Sequence, residues 1–183
     1  MTTNISFKPF PELNSRSINL RRLKYDDKIE LSRLRSDDRV NEFLKRPGKL
    51  SEDSAGKLVD KLNAGIDKNE WIIWAVTLPG AENLIGTICL WNLDKEYSLA
   101  EIGFELMPEH QKKGIMSEAI KLVLDYAFNE MKIARIEGFT NDKNLRAFSL
   151  MEKSGFVRDT DLENEIRINE PDFVNMVAYK LEK

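Results

Sequence analysis

The stretch that decides the fold reads LAEIGFELMPEHQKKGIMSEA and covers residues 99–119. Residues 99–107 alternate as a strand does, and Pro108 ends that strand. Gly114 begins a helix that continues to Asn129, and its polar positions form one stripe at i, i+4 spacing. The sequence therefore predicts a strand, a short polar loop and a helix whose apolar remainder packs on the sheet.

The strand of this stretch carries two acids on one face. Because successive side chains of a strand point to opposite faces, Glu101 and Glu105 share a face with Gly103 between them. Two carboxylates thus flank a residue that has no side chain. They predict either acids that take part in chemistry or solvated charges on a pocket wall that attract a cation.

The loop before the helix has the features of a phosphate site. A helix start leaves about four backbone amides without partners and carries a partial positive charge. Gly114 has no Cβ to keep a phosphate from the main chain, and Lys112 and Lys113 add positive charge. An ordinary polar turn before a helix would have the same composition. Neither a P-loop nor a Gly-x-Gly-x-x-Gly motif is present in the sequence.

Outward from this stretch, helices and strands follow one another without repeats or linkers. Further strands are predicted at residues 17–23, 71–76, 84–93 and 133–140, helices at 26–34, 37–44, 51–66 and 144–153, and a closing hairpin at 156–168 with 173–181. The fold class is therefore mixed α and β, with a largely antiparallel sheet, in a single domain over residues 1–183.

Composition excludes several functions. The 183 residues include 28 basic and 31 acidic side chains, and this balance argues against a broad nucleic-acid surface. One cysteine, Cys89, and one histidine, His110, cannot form a disulfide framework or the usual zinc site. With no secretory leader and no apolar run near 18 residues, the sequence predicts a cytoplasmic protein without membrane contact.

Several short motifs occur in a characteristic order. Gln111-x-x-Gly114-x-Met116 is followed by Ser117-Glu118-Ala119, and the other motifs lie at residues 18–23, 35–41, 100–104 and 141–156. In this order and spacing the chain resembles the GNAT acetyltransferases, and more narrowly the branch of ribosomal-protein N-terminal acetyltransferases. The resemblance implies a mostly antiparallel sheet of about seven strands flanked by helices, whose central pair splays into a wedge.

The resemblance also implies acetyl-CoA as cosubstrate and no metal. Its pyrophosphate would lie on the amides of the loop, its pantetheine arm would follow the strand end, and Asn144 would bond to the arm. The implied ligands are Leu106, Met107, Gln111, Lys112, Lys113, Gly114, Ile115, Met116, Ser117 and Asn144. Asn144 is equally placed to be a helix N-cap, and one residue can fill both roles.

Amine acetylation needs a base more than a nucleophile. Exposing the neutral form at pH 7 costs about 1 kcal/mol for an α-amine and about 4.6 kcal/mol for lysine, so a protein or peptide N-terminus is the predicted acceptor. The predicted catalytic acids are Glu101, as the base, and Glu105. Met151 and Ala147 stand where relatives have Tyr or Ser to protonate the thiolate, which leaves Ser149, water or spontaneous departure of the thiolate.

Two other functions remain open from the sequence. The paired acids also suit a small amine such as a polyamine or an aminoglycoside-like compound. The residues Met151 and Ala147 suit a CoA-binding regulatory module without turnover. The sequence leaves the choice between a monomer and a homodimer open.

Overall fold

The computed structural model describes residues 5–44, 46, 48–94, 98–169 and 175–183. The strands of this part of the chain are β1 (Leu13–Asn14), β2 (Asn19–Arg21), β3 (Ile72–Thr77), β4 (Gly86–Asp94), β5 (Leu99–Leu106), β6 (Arg135–Asn141), β7 (Val157–Arg158) and β8 (Met176–Glu182). Its α-helices are α1 (Lys28–Ser36), α2 (Asp38–Asn41), α3 (Glu52–Asp67), α4 (Ile115–Asn129), α5 (Leu145–Lys153) and α6 (Thr160–Asn169).

One sheet contains all of these strands, in the order β1-β2-β3-β4-β5-β6-β8-β7. The pair β5 and β6 is parallel, and every other described neighbouring pair is antiparallel. The mixed, mostly antiparallel class predicted from the sequence is confirmed. The sheet has eight strands rather than about seven because the chain adds the two-residue edge strand β1, which is too short to produce a sequence pattern.

The parallel pair at the centre of the sheet separates soon after it begins. Its described register joins residues 99–101 of β5 to residues 135–137 of β6, and ends at the pair Glu101 and Glu137. From there β5 continues against β4, and β6 continues against β8. The structure therefore contains the splayed central strand pair that the resemblance implied.

The core lies against the middle strands. All six residues of β3 are buried, and Trp74 in this strand meets Tyr126 of α4 edge to face, with 5.9 Å between the ring centroids. Helix α4 therefore packs on the sheet with its apolar face, as its sequence predicts. Within the described residues, no helix has the length and apolar character needed to cross a bilayer.

The predicted closing hairpin is wrong in its first half. Of residues 156–168, β7 takes two, and α6 begins at Thr160. The side chain of Asp159 accepts a hydrogen bond from the Leu162 amide at 3.2 Å, and its carbonyl accepts one from the Glu163 amide at 3.1 Å. These bonds start a helix where a strand was predicted. In the second half, β8 pairs with β7 as expected, while Phe173 and Val174 lie outside the described residues.

Candidate active site

Two clefts open where β5 and β6 separate. The first cleft, of about 530 Å³, is lined by the loop after β5, the start of α4, and α5. The second cleft, of about 380 Å³, is lined by β4, β5 and β6 and by residues from α1 and from the segment after α2. The residues that border both clefts are Leu44, Phe104, Glu105, Asn144 and Ala147. A molecule in one cleft therefore lies beside the wall of the other.

Gln111 ties the loop to its surroundings. Its Nε2 donates a hydrogen bond to the carbonyl of Leu106 at 3.0 Å, and its Oε1 accepts one from Nη1 of Arg146 at 3.4 Å. One side chain thus links the end of β5 to α5 across the mouth of the first cleft. Leu106 and Gln111 both line that cleft, in the place where the resemblance put the ligand.

The start of α4 faces the first cleft with free amides. Gly114 has φ 77°, in the left-handed region that favours glycine, and no side chain caps the helix there. In the described part of the chain, the amides of Ile115, Met116 and Ser117 have no hydrogen-bond acceptor, while the next amide in the chain bonds to the Gly114 carbonyl at 3.0 Å. These three residues line the first cleft. Free amides at a helix start are suited to an anion, and that these three bind one stays a prediction.

Positive side chains border the same cleft. Those in its lining are Arg39, Lys112, Arg146 and Lys153. Lys113, also a predicted ligand, is exposed next to the lining. Met107 is buried, and its amide donates to the carbonyl of Ile85, the residue before β4, at 2.9 Å, so the main-chain donor of Met107 is already in use. Free amides together with several cations fit the polyphosphate portion of CoA.

Asn144 has both of its polar atoms in use. Its Oδ1 accepts a hydrogen bond from the Ala147 amide at 3.2 Å, which makes it the N-cap of α5, and its Nδ2 donates to Oγ1 of Thr140 at 3.1 Å. It also borders both clefts. Asn144 therefore fixes the position of α5 relative to β6 at the point where the clefts meet.

Glu101 lines the second cleft in a half-buried position. Burial raises its pKa to about 7, a hydrogen bond from Nδ2 of Asn92 at 2.9 Å opposes that rise, and the nearby charge of Glu137 adds to it. The ordinary pKa of a glutamate is near 4.3. A carboxylate whose pKa lies near neutrality can take a proton from an amine at physiological pH.

Glu105, on the same face of β5, has a different environment. Its Oε1 accepts hydrogen bonds from Nε of Arg35 at 3.0 Å and from Oγ1 of Thr87 at 3.1 Å, and its Oε2 accepts one from Nη1 of Arg46 at 2.7 Å. Burial opposes its ionisation, yet the two guanidinium charges and these bonds outweigh burial and lower its pKa. Glu105 is therefore an ionised carboxylate that these hydrogen bonds hold in place.

Sequence reasoning missed the partners of Glu105. Arg35, Arg46 and Thr87 lie in three separate segments, 70, 59 and 18 positions from Glu105, and no spacing rule connects them to it. Tyr179 of β8 was also missed; it lines the second cleft, and its hydroxyl donates to Oε1 of Glu152 at 3.1 Å. Position 151 is Met rather than Tyr, and the Met151 side chain packs against Gly138.

Comparison with known proteins assigns this fold and its wedge to a family of acetyltransferases. Residues 17–157 match the acetyltransferase (GNAT) domain, so the chain belongs to the GNAT family of N-acetyltransferases. The resemblance inferred from the motifs is confirmed at this level. That the remaining residues belong to the same single domain stays a prediction.

Three similar proteins illustrate the range of the family. The chain is 30% identical to the probable N-acetyltransferase YjcK of Bacillus subtilis over 164 residues, 86% of this chain and 90% of that protein. A spermidine N-acetyltransferase from Vibrio cholerae, solved with CoA and spermine, aligns with a TM-score of 0.69 and 27% identity over 80% of this chain and 83% of that one. The ribosomal-protein-S5-alanine acetyltransferase of Vibrio fischeri shares the fold, with a TM-score of 0.73 at 18% identity over 81% and 84% of the two chains.

Proposed function

We propose that this protein transfers the acetyl group of acetyl-CoA directly to the α-amine of a protein or peptide N-terminus. The observation that carries the proposal is the pair of adjoining clefts, one with free amides and cations for a polyphosphate and one with a carboxylate that titrates near neutrality. A cytoplasmic location stays a prediction from the sequence.

The first cleft holds the cosubstrate in this proposal. The pyrophosphate is bound by the amides of Ile115, Met116 and Ser117, with Lys112 and Arg146 at the sides. The pantetheine arm follows the end of β5 into the wedge, in the manner of an added strand. Acetyl-CoA supplies an activated acyl group there, and the chain supplies position and charge.

Glu101 is the proposed base. The amine nitrogen attacks the thioester carbonyl, the nitrogen–carbon bond forms as the carbon–sulfur bond breaks, and the amine proton passes to Glu101 directly or through water. An α-amine has a pKa near 7.7–8.0, so its neutral form is available at small cost near pH 7. Glu105 remains a predicted member of the site, and we assign it the role of holding Arg35 and Arg46 rather than of moving a proton.

The departing thiolate takes its proton from water or from Ser149, which lines the first cleft. Cys89 borders the second cleft, but burial raises the pKa of its thiol to about 12, so it does not supply a thiolate nucleophile near pH 7. Direct transfer without a covalent enzyme intermediate is therefore the proposed route.

Polyamine acetylation is the second candidate. It is favoured by the similarity to a spermidine N-acetyltransferase, which was solved with spermine. The lack of a hydroxyl at Met151 and Ala147 favours a third candidate, a CoA-binding module without turnover, since relatives have proton donors at these positions.

One assay separates the three candidates. Acetyl-CoA is incubated with a panel of N-terminal peptides, polyamines and aminoglycosides, thiol release is followed with a thiol-reactive dye, and products are identified by mass spectrometry. We expect acetylated peptide α-amines and no modified lysine. Faster turnover of a polyamine than of any peptide would contradict the first candidate and support the second.

A thermal-shift measurement with CoA accompanies this assay. Stabilisation by CoA without transfer to any amine would identify the third candidate. The absence of any shift with CoA would contradict all three.

A further inference from the structure

The second cleft contains two positively charged side chains that the proposed proton transfer to Glu101 does not use. Arg35 and Arg46 both line it, and each retains about a fifth to a quarter of its side-chain exposure, 21% and 25%. Between them lies Glu105, whose side chain is only 7% exposed. Two guanidinium groups therefore share a single ionised carboxylate at this end of the cleft, which leaves an excess of one positive charge.

Arg35 and Arg46 have N–H groups that their described partners do not use. Each guanidinium carries five N–H groups. Glu105 engages Nε and Nη2 of Arg35 and Nη1 of Arg46, and Asn41 accepts a further bond from Nη1 of Arg46 at 3.3 Å. Among the described residues these are the partners that the two guanidinium groups have. The remaining N–H groups suit a second carboxylate, since planar guanidinium groups bind carboxylates in pairs of bonds.

The spacing along β5 sets the size of the molecule that would use both ends. Glu101 and Glu105 are four residues apart on one face, so their Cα atoms lie about 13 Å apart. The guanidinium groups that bind Glu105 line the same cleft, so an amine at Glu101 and an anion at the arginines would lie up to about 13 Å apart. The first two or three residues of an extended peptide span that distance, at about 3.3–3.6 Å per residue plus a side chain.

We propose that Arg35 and Arg46 form an anion-binding subsite in the second cleft, and that the preferred acceptor is a peptide N-terminus with an acidic side chain at its second or third residue. This inference rests on the proposed function, because it assumes that the amine is acetylated next to Glu101. A polyamine would place an ammonium group against two guanidinium groups, so the same subsite disfavours that class of acceptor.

Kinetics on two matched peptides test the subsite. The peptides are identical except that Glu at positions 2 and 3 of one is Gln in the other. We expect kcat/KM to be about tenfold higher for the acidic peptide at low salt, through KM, and the preference to shrink as salt is raised. Equal kcat/KM for the two peptides would overturn the subsite while leaving the proposed function in place, whereas no transfer to either peptide would contradict the proposed function itself.

Variants then assign the preference to residues. R46Q should reduce the acidic-to-neutral ratio of kcat/KM to about one. R33Q is the matched control, since the Arg33 side chain is 71% exposed and bonds to Glu109, and it should keep the wild-type ratio. Equal loss by R46Q on both peptides would show that Arg46 only supports the fold. The wild-type comparison of peptides decides the proposal if R46Q does not fold.

Discussion

The two clefts share a wall but are built from different parts of the chain. The first cleft takes its charge from the main chain of one continuous segment, residues 111–117, and from a few lysines and arginines around it. The second cleft takes its charge from side chains of α1, the segment after α2 and β5. In the proposed function, the cosubstrate site therefore rests on backbone geometry, while the acceptor site rests on side chains that distant segments supply.

The largest effect is expected from E101Q, which removes the proposed base from the second cleft and leaves the first cleft intact. Loss of a general base lowers kcat by about 10²–10⁴-fold, and KM for acetyl-CoA should not change. Steady-state kinetics at pH 7.5 measures both constants, with the exposed Glu130→Gln as control. Retention of full kcat would show that Glu101 is not the base.

E105Q should act on stability rather than on proton transfer. It leaves Arg35 and Arg46 without their buried counter-ion, at a cost of about 3 kcal/mol and a fall in Tm of about 6–12 °C. E82Q is the matched control, because Glu82 pairs with Lys24 on the surface with 85% of its side chain exposed, and it should leave Tm unchanged. An equal Tm for E105Q and the wild type would mean that the arginines do not depend on Glu105.

The contributions of Glu101 and Glu105 to folding stability should change with pH in opposite directions. Because the pKa of Glu101 is raised to about 7, its ionisation destabilises the folded state, and E101Q should gain stability relative to the wild type as pH rises from 5 to 8. Because the pKa of Glu105 is lowered, its contribution is present above the unfolded pKa and is lost as pH falls through the folded pKa. Denaturant unfolding of both variants at several pH values checks the signs, and parallel curves would contradict the assignment.

A smaller effect is expected from N92G, which removes the hydrogen bond that favours ionised Glu101. The pKa of Glu101 should rise further, so the acidic limb of kcat/KM moves to higher pH by about half a unit to one unit. Glycine accepts the left-handed backbone of Asn92, at φ 46°, so the change is local. A pH–rate profile measures the shift, and N83G on the surface should give the wild-type profile. A limb that stays in place would mean that Asn92 does not tune the base.

The smallest effect is expected from G114A in the first cleft. Gly114 has φ 77° and no atom near the position of an added Cβ, so alanine adds backbone strain of about 1 kcal/mol and no clash. We expect KM for acetyl-CoA to rise a few-fold at constant kcat. Gly80 has φ 76° and equally open surroundings, which makes G80A a control with the same strain and an unchanged KM. If both variants changed KM equally, Gly114 would have no specific role in binding acetyl-CoA.

The sequence predicted the first cleft far better than the second. Gln111, Gly114 and Ser117 are close in sequence, so their geometry follows from a local rule about helix starts. The alternation of β5 also placed Glu101 and Glu105 on one face. What the sequence could not predict was their difference, because that depends on whether Arg35, Arg46 or Asn92 lies next to each carboxylate.

The error in the closing hairpin has the same origin at a smaller scale. A strand was predicted over residues 156–168, but the bonds between Asp159 and the amides of Leu162 and Glu163 start α6 instead. In a segment with so few apolar residues the helix cap decides the structure, and the cap depends on where β7 ends.

The separation of β5 from β6 also bears on how this sheet avoids self-association. An unpaired strand margin at the rim of a sheet is a template for the strands of other molecules. Beyond the pair Glu101 and Glu137, the described parts of β5 and β6 leave such a margin in the interior, recessed between helices and loops. Because this open margin is recessed inside the molecule, its unpaired backbone groups are turned toward the clefts rather than toward the strands of other molecules.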